Sequence, residues 1–348
     1  MNFLKTQIRF RWPQINTQIS VDLLSEFNPF LTSALLDMLP LVSIQSHAVV
    51  AGQQIYFPTR LVLPKNEAAA TEPMNEQPDG RVNFEPFFQY ISISYGPVSE
   101  PVPAWAIGQV VDSDIEKLGD LGRTVWDNLL SEDDPLMVAV EHATDDSTPI
   151  DLGRLRQIHS GPTLEMRNLH WDAVLTHLQQ ETDAIWLVEP EDVRALRLGV
   201  QTSNAGVYGQ YFSPWVMVSG LVRSLAVAEI ASLVRQCNNP AFTAEHLRTM
   251  LADMLKITVG VTAFFGLPQL GHTLEAVAAT CEQIESKEEF RAFAHSLFTY
   301  VNRYNLWLHQ SFPWRLGILF PKARTDHAQS VLNLSAKPIY QSSDKIDK

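Results

Sequence analysis

Apolar and polar residues alternate with a period of two along much of the first half of the chain, a pattern that predicts half-buried β-strands. The first two runs, 6–12 and 17–23, lie on either side of Pro13-Gln14-Ile15-Asn16 and predict a hairpin. The chain is therefore expected to begin with a sheet. The other predicted strands are 42–45, 48–52, 53–58, 90–95 and 136–141.

The strand at 90–95 leads into a proline-rich loop. Gly96 and Pro97 follow it, and because proline cannot continue a hydrogen-bonded ladder, we expect the strand to stop there. Pro97, Pro101 and Pro103 then frame one carboxylate, Glu100. Catalytic groups often lie on rigid loops of this kind. An ordinary hairpin with a proline-rich loop has the same sequence, so both interpretations stay open.

Helical patterns interrupt the strands at two places. Asn28-Pro29 predicts a helix start, with a side-chain cap followed by proline at the first helical position, and Pro40 ends that helix. Two short helices are predicted at 113–119 and 121–130. Residues 65–81 have no apolar period and predict a long surface loop, which is either padding or a lid.

From about residue 160 the apolar period changes to 3.6, which predicts α-helices. Proline and glycine mark several of their ends, as at Ser213-Pro214 and Gly266-Leu267-Pro268. We therefore predict an α+β protein with a β-rich domain at 1–152, a helical bundle at 160–333 and a flexible tail at 334–348. The predicted helices are 163–182, 190–199, 213–237, 243–265, 271–284 and 286–310.

Composition and charge narrow the choice of partners. The net charge is −13, and Lys and Arg form no cluster, which argues against binding nucleic acid or an anionic membrane surface. Cys237 and Cys281 lie in apolar helical contexts without a second cysteine nearby, so we expect buried, reduced thiols. We find no signal peptide and no membrane-spanning run, and we expect a cytoplasmic protein.

Several catalytic motifs are absent from the sequence. It contains no GxGxxG after a strand, no GxxxxGK[ST], no HExxH and no GxSxG. Nicotinamide-dependent, P-loop, zinc-peptidase and serine-hydrolase chemistry therefore have no support. The ten histidines are scattered along the chain, so we predict no metal site, although ligands distant in the sequence could still converge in space.

The first half of the chain resembles the cyclophilin-like β-barrels. The resemblance lies in the helix 28–40, the run 46–57, the strand that ends Ser94-Tyr95-Gly96-Pro97, and Ile107-Gly108-Gln109-Val110. Prolyl isomerases carry Phe-His-Arg where this chain has Ser46-His47-Ala48, so isomerase activity is not expected. A cyclophilin-like barrel followed by a helical bundle, at this length, resembles the cucumopine and mikimopine synthases, which are opine-forming enzymes.

This resemblance implies a cofactor-independent condensation of L-histidine with 2-oxoglutarate by a Pictet–Spengler-type cyclisation, which forms one carbon–nitrogen and one carbon–carbon bond. The amine and keto group give an imine, the imidazole carbon attacks it, and a ring proton leaves. The protein must supply an acid, a base and cations for the carboxylates. Two alternatives stay open: a non-catalytic small-molecule-binding protein, and a structural module that forms a homo-oligomer through its apolar helices.

Eight residues are candidates for these roles. Glu100 is the predicted base, because a proline-framed loop would desolvate it and raise its pKa; a surface carboxylate is the alternative. His47 is predicted to shuttle a proton and Tyr95 to supply a hydroxyl, with structural roles as the alternatives. The predicted substrate-binding residues are Tyr56, Arg60, Gln109, Arg167 and His170, the last two on one face of the first bundle helix.

Overall fold

The structure is a computed structural model that describes residues 6–62, 70–131, 133–161, 164–198 and 212–311, without the side chains of 212–214. Within these residues a ten-stranded sheet comes first and helices follow. This arrangement confirms the predicted α+β class. The predicted tail at 334–348 lies outside the described residues, and the three domain boundaries stay predictions.

All strand pairs of the large sheet are antiparallel. Its strands are β1 (Gln7–Trp12), β2 (Thr17–Leu23), β3 (Leu41–Ile44), β4 (Ser46–His47), β5 (Gly52–Pro58), β6 (Glu72–Pro73), β7 (Arg81–Glu85), β8 (Tyr90–Val98), β9 (Pro103–Val110) and β10 (Met137–His142). They follow the order β3-β10-β1-β2-β9-β7-β8-β5-β4, and β6 pairs with β9 beside this path.

The sheet is nearly closed into a barrel at Gln45. The two edge strands, β3 and β4, follow each other in the chain with only Gln45 between them. Its side-chain Nε2 donates to the Tyr56 carbonyl oxygen at 2.8 Å, and its Oε1 accepts from Trp12 Nε1 at 2.8 Å. Because these bonds tie β5 and β1 to the same residue, the two ends of the sheet are held together, as the barrel prediction requires.

The barrel packs against helices α1 (Pro29–Asp37) and α2 (Asp112–Leu130). α2 is one helix, so the prediction of two short helices is wrong. Gly119 does not interrupt it, and a Cβ there would meet open space. Glycine is required at position 122 for packing, because a Cβ there would lie 2.3 Å from the Tyr95 ring. Tertiary packing has overridden the low helix propensity of glycine.

β8 continues through Gly96 and Pro97 to Val98, so the predicted strand end is also wrong. β8 pairs with β7 only as far as Ile93. Pro97 lies beyond this paired stretch, so its missing N–H removes no hydrogen bond to β7. On the other side Gly52 pairs with Val98 and has a φ of +121°. A Cβ at Gly52 would lie 2.4 Å from the Pro97 carbonyl oxygen, so glycine is needed there.

Two loop predictions also need correction. Residues 48–51 form a bend between β4 and β5 rather than a strand. The predicted surface loop 65–81 is packed in its second half: residues 70–81 contain β6, and Met74 is buried. Residues 65–69 lie outside the described ranges.

The second part of the chain is a helical bundle, as predicted. A two-stranded parallel ladder of β11 (Ile158–His159) and β12 (Glu189–Pro190) accompanies it. A π-helical segment, Ser224–Ile230, interrupts the predicted helix 213–237. The helices are α3 (Trp171–Ala184), α4 (Glu191–Arg197), α5 (Phe212–Arg223), α6 (Ala231–Cys237), α7 (Ala244–Phe264), α8 (Pro268–Thr280) and α9 (Lys287–Ser311).

Helix α9 joins the bundle to the barrel. Every residue from 300 to 308 is buried, which is typical of a helix surrounded by other elements. Asn302 Nδ2 donates to the Phe88 carbonyl oxygen at 2.7 Å, and Gln89 Nε2 donates to Thr299 Oγ1 at 3.0 Å. The segment between β7 and β8 is therefore bonded directly to α9.

By length and composition alone, Trp215–Cys237 is the one described helical stretch that could cross a membrane, with a mean hydropathy of 1.6. The expectation that no segment is long and apolar enough to span a membrane therefore does not hold. Trp215, Val218 and Val222 are fully buried in the bundle, and core helices meet the same criterion. Both cysteines are buried and free, as expected, and burial raises the pKa of each thiol to about 11.

Candidate active site

Strands β5, β7 and β8 have two different faces. Paired residues of an antiparallel ladder lie on the same side of the sheet, and side chains alternate along each strand. Ile55 pairs with Ile93 on the side of the barrel core, so Tyr56 and its partner Ser92 lie on the other side. We call this second side the polar face. Its members on these strands include Tyr56, Asn83, Glu85, Tyr90 and Ser92.

Glu85 is the most unusual residue of the polar face. It is the last residue of β7, lies opposite Tyr90 and is only 6% exposed. Its Oε1 atom has no hydrogen-bond partner among the described residues. Burial, followed by the negative charge of Glu100, raises the pKa of Glu85 to about 8. Glu85 is therefore a carboxyl group that gains and loses its proton near physiological pH.

Aromatic rings line the polar face beside Glu85. The rings of Phe88 and Tyr90 are stacked with centroids 5.4 Å apart, and the rings of Tyr90 and Tyr56 are 4.7 Å apart. Phe88 and Tyr90 are only partly buried, so their rings are accessible. Burial raises the pKa of both tyrosines, which keeps their hydroxyls protonated. The rings of Phe88 and Tyr90, packed on the buried Tyr56 ring, offer a surface on which a planar aromatic substrate can stack.

The helical bundle adds a histidine and an arginine to the polar face. His309 Nδ1, near the end of α9, is 2.8 Å from the Tyr56 hydroxyl. Burial, followed by the charge of Arg223, lowers the pKa of His309 to about 4, so its ring is neutral at physiological pH. Arg223 lies where α5 meets the π-helical segment, and its guanidinium carbon is 5.0 Å from the centroid of Phe88. π-helical turns are frequent at functional sites.

Together these residues can support acid–base chemistry on a substrate that carries an aromatic ring and a carboxylate. Glu85 exchanges a proton, the rings of Phe88 and Tyr90 can stack on an aromatic group, and Arg223 offers an exposed cation for a carboxylate. The described ranges contain no group of three His, Cys, Asp or Glu side chains that could hold a metal ion.

Glu100, the predicted base, is half-buried in the loop between β8 and β9. Its charge raises the pKa of both Glu85 and Tyr90, which puts it beside the polar face. The proline-framed loop therefore does bring an acid to this region. Glu85 meets the requirement for a desolvated base more fully, and the catalytic role of Glu100 stays a prediction.

His47 and Tyr95 form a separate pair on the core side of the sheet. His47 Nε2 is 2.7 Å from the Tyr95 hydroxyl, and Nδ1 is 2.6 Å from the Ala48 carbonyl oxygen. Tyr95 is two residues after Ile93, and its ring packs against Gly122 of α2. The structure therefore does not bring this pair together with Tyr56 and Glu85, which lie on the opposite side of the sheet.

Arg60 and Gln109 already have partners within the protein. Arg60 forms an ion pair with Asp183 of α3, and its guanidinium carbon lies 4.5 Å from the centroid of Trp186. Gln109 Nε2 donates to the Asp79 carbonyl oxygen at 2.9 Å and so stabilises the turn before β7. Their substrate-binding roles stay predictions.

Arg167 and His170 do not share a helical face, contrary to the prediction. α3 begins only at Trp171, and Arg167 lies in an exposed turn next to Asn168, whose φ is +56°. This left-handed conformation cannot be part of an α-helix. His170 is the N-cap residue of α3, with Nδ1 2.7 Å from the Asp172 carboxylate.

The sequence pattern did not indicate four residues of the site: Glu85, Tyr90, Arg223 and His309. The run Phe84-Glu85-Pro86-Phe87 does contain a signal, because an acid between aromatic residues at a predicted strand end is a candidate for burial. Arg223 and His309 carry no such signal. They reach the polar face only because the bundle packs against the barrel.

Comparison with known proteins finds a family match in the bundle and a structural relative that spans most of the chain. Residues 171–311 match the family described as the cucumopine synthase C-terminal helical bundle domain. None of the curated protein sequences matches this chain. The structure of McbB in complex with tryptophan has a TM-score of 0.78 and 29% sequence identity, and the match covers 89% of this chain and 98% of McbB.

A solution structure of the hypothetical protein AF2241 from Archaeoglobus fulgidus covers 40% of this chain and 96% of its own, at 20% identity. Its TM-score of 0.29 is too low to support an argument. The McbB match, in contrast, extends over barrel and bundle, and the family match includes Arg223 and His309. Residues 171–311 therefore match the cucumopine synthase C-terminal helical bundle domain, in a chain whose overall fold is similar to that of McbB.

Proposed function

We propose that this protein is a Pictet–Spengler-type synthase that condenses L-histidine with 2-oxoglutarate without a cofactor. The cucumopine synthase domain and the McbB likeness support the reaction type. The substrate pair follows from the resemblance to cucumopine and mikimopine synthases. The observation that carries the proposal is Glu85, a buried carboxyl with a pKa of about 8 beside an aromatic surface.

Glu85 starts the reaction as a carboxylate. It takes a proton from the substrate ammonium group, and the free amine then adds to the keto carbon to give a carbinolamine. Protonated Glu85 returns this proton to the carbinolamine hydroxyl, which leaves as water and gives an iminium ion. General acid–base catalysis is most efficient when the pKa of the group lies near the working pH, and a value of about 8 meets this condition.

Ring closure uses the same carboxylate. The imidazole carbon attacks the iminium carbon, a carbon–carbon bond forms, and the electron pair of the C=N bond moves to nitrogen. Glu85 then takes the ring proton, which restores the aromatic imidazole, and releases it to solvent. In total the two substrates combine with loss of one water, and the proton that the substrate ammonium group carried goes to solvent. No electron acceptor is required, because the condensation is redox-neutral overall: the keto carbon is reduced as the imidazole carbon is oxidised.

The remaining polar-face residues position the substrates. The imidazole stacks on the rings of Phe88 and Tyr90, and Arg223 binds a carboxylate of either substrate. Tyr56, hydrogen-bonded to neutral His309, presents a second polar group from the same face. Holding both substrates in one orientation supplies a large part of the rate enhancement.

A second amine substrate is favoured by a specific observation, since McbB has been solved in complex with tryptophan. An indole ring would stack on the same aromatic surface. The test is mass spectrometry of purified protein incubated with 2-oxoglutarate and either L-histidine or L-tryptophan, without nucleotide, beside a Glu85→Gln control. We expect an enzyme-dependent product from histidine that is one water lighter than the two substrates combined.

If tryptophan gave a product and histidine did not, histidine would be the wrong amine substrate, but the proposed reaction type would stand. Tight binding of a substrate with no product from either amine would contradict the synthase and support a non-catalytic binding protein.

We expect Tyr56→Phe to slow the condensation, while Tyr95→Phe leaves its rate close to that of the wild type. The two variants are matched, because each removes one hydroxyl and one hydrogen bond to a histidine. Each should lose about 1 kcal/mol of stability. Only Tyr56 lies on the polar face, so steady-state rates and thermal unfolding should separate the two. An equal loss of rate in both variants would contradict the location of the site.

A further inference from the structure

We propose that a second small-molecule site lies in a groove between the barrel and the bundle, and that it takes a carboxylic acid with an apolar body. The groove is a cavity of about 570 Å³, within the usual range of small-molecule sites. Its lining includes Val42, Arg60, Met137, Arg154, Trp186 and Leu187. It also includes one exposed carboxylate, Asp151, whose Oδ1 accepts a hydrogen bond from the Gly153 N–H. No residue of the polar face takes part, so the proposal is independent of the proposed function.

The floor of the groove is apolar and already formed. Val42 comes from β3 and Met137 from β10, while Trp186 and Leu187 follow α3 in the bundle. Trp186 Nε1 donates to the Val42 carbonyl oxygen at 2.9 Å, which fixes the indole across the junction. Met137 is fully buried, and Trp186 and Leu187 are less than one-tenth exposed. An apolar ligand would therefore meet a surface that needs no rearrangement.

Two arginines at the groove can bind a carboxylate. The Arg60–Asp183 ion pair is exposed, with side-chain exposures of 42% and 66%, and such pairs contribute little to stability. A ligand carboxylate could therefore replace Asp183. Arg154 is half-buried and makes no ion pair within the described part of the chain. Arginine's planar fork suits a carboxylate, and two forks can hold its two oxygens.

A third arginine lies behind the floor. Arg303 is 2% exposed, and its guanidinium carbon lies 5.4 Å from the Trp186 centroid and 4.4 Å from that of Trp307. Its Nε donates to the Trp186 carbonyl oxygen at 2.9 Å, whereas Nη2 has no partner among the described residues. Burial, followed by the charge of Arg60, lowers the pKa of Arg303 to about 9. A buried cation without a carboxylate partner is costly.

These charges favour an anion in a protein whose net charge is −13. The apolar floor disfavours inorganic phosphate, which has no apolar surface to bury. An acid with an aromatic or aliphatic body uses both the floor and the arginines.

The test compares 4-phenylbutyrate with its neutral amide by calorimetric titration of the full-length protein without substrates. We expect the acid to bind at least about tenfold more tightly than the amide, because charge-assisted hydrogen bonds are stronger than neutral ones. Arg60→Gln and Arg154→Gln should each reduce this ratio. Arg156→Gln is the matched control, since that side chain is 79% exposed and pairs with Asp134 outside the groove floor.

Glu85→Gln should leave binding of the acid unchanged, whether or not it abolishes condensation. Equal binding of acid and amide to the wild type would overturn the proposal, and this comparison needs no variant to fold. Tight binding of the acid that survives both Arg60→Gln and Arg154→Gln would also overturn it. Loss of binding in Glu85→Gln would place the probe on the polar face and contradict a second site.

Discussion

Glu85→Gln is expected to lower kcat of the condensation by about 10²- to 10⁴-fold, the usual contribution of a general acid–base group. Glutamine keeps the shape of the side chain but can neither take the ammonium and ring protons nor return one to the carbinolamine hydroxyl. The rate should be measured as product formed per unit time by mass spectrometry at saturating substrate. A variant that retains more than half of the wild-type kcat would contradict the assignment of Glu85.

Thermal unfolding controls for loss of fold in this variant. The pKa of Glu85 is raised from 4.5 to about 8 in the folded protein. Its favourable contribution to stability is therefore fully present below about pH 4.5 and is lost as the pH rises through about 8. Glutamine carries no charge at any pH. Above pH 8 the variant should unfold at the same temperature as the wild type or higher, so lost activity would not reflect unfolding.

Glu141→Gln should lower the free energy of unfolding by about 2–3 kcal/mol. This loss is somewhat smaller than the loss on breaking a fully buried ion pair, because Arg9 and Arg11 are partly exposed. The Glu141 carboxylate is buried and accepts hydrogen bonds from Arg9 and Arg11 at 2.8 Å each, and from the Thr148 N–H at 2.6 Å. Glutamine would leave two guanidinium groups without a counter-charge. Urea unfolding at pH 7 measures the loss.

The same carboxylate predicts an acid-sensitive contribution to stability. Burial acts to raise the pKa of Glu141, but hydrogen bonds from Arg11, Thr148 and Arg9 outweigh it and lower the pKa from 4.5 to about 2. The contribution is therefore present above about pH 4.5 and is lost as the pH falls through about 2. The gap between wild type and Glu141→Gln should narrow from pH 7 to pH 2. Asp120→Asn, at a 93% exposed position, is the control and should change nothing measurable. A gap that does not narrow would contradict this role.

Hydrophobic periodicity was sufficient to predict most of the fold. The alternation of Ile8, Phe10 and Trp12 places all three in the core of β1, and helical spacing identified α9 nearly to its ends. The errors occurred where one local signal competed with packing. Gly119 suggested a break in α2 and Pro97 the end of β8, but both elements continue because neighbouring segments hold them.

The candidate site could be predicted only in part. Tyr56 and Tyr95 look alike in the sequence, since both are tyrosines near strand ends. The register that pairs Ile55 with Ile93 is what separates them, and register is not visible in a single sequence. The proline-framed loop correctly drew attention to an acid near the site. Which of Glu85 and Glu100 is more deeply buried depends on residues distant in the chain.

The most direct test of the central claim is the pH dependence of kcat/KM in the wild type and in Glu100→Gln. We predict that activity rises with pH through an apparent pKa of about 8 in the wild type, the value for Glu85. Removing the charge of Glu100 should move this midpoint to lower pH. The substrates titrate identically with both proteins, so the difference between the two curves isolates the enzyme group. Identical midpoints, or a wild-type rise completed below pH 6, would contradict the assignment of Glu85 as the acid–base residue.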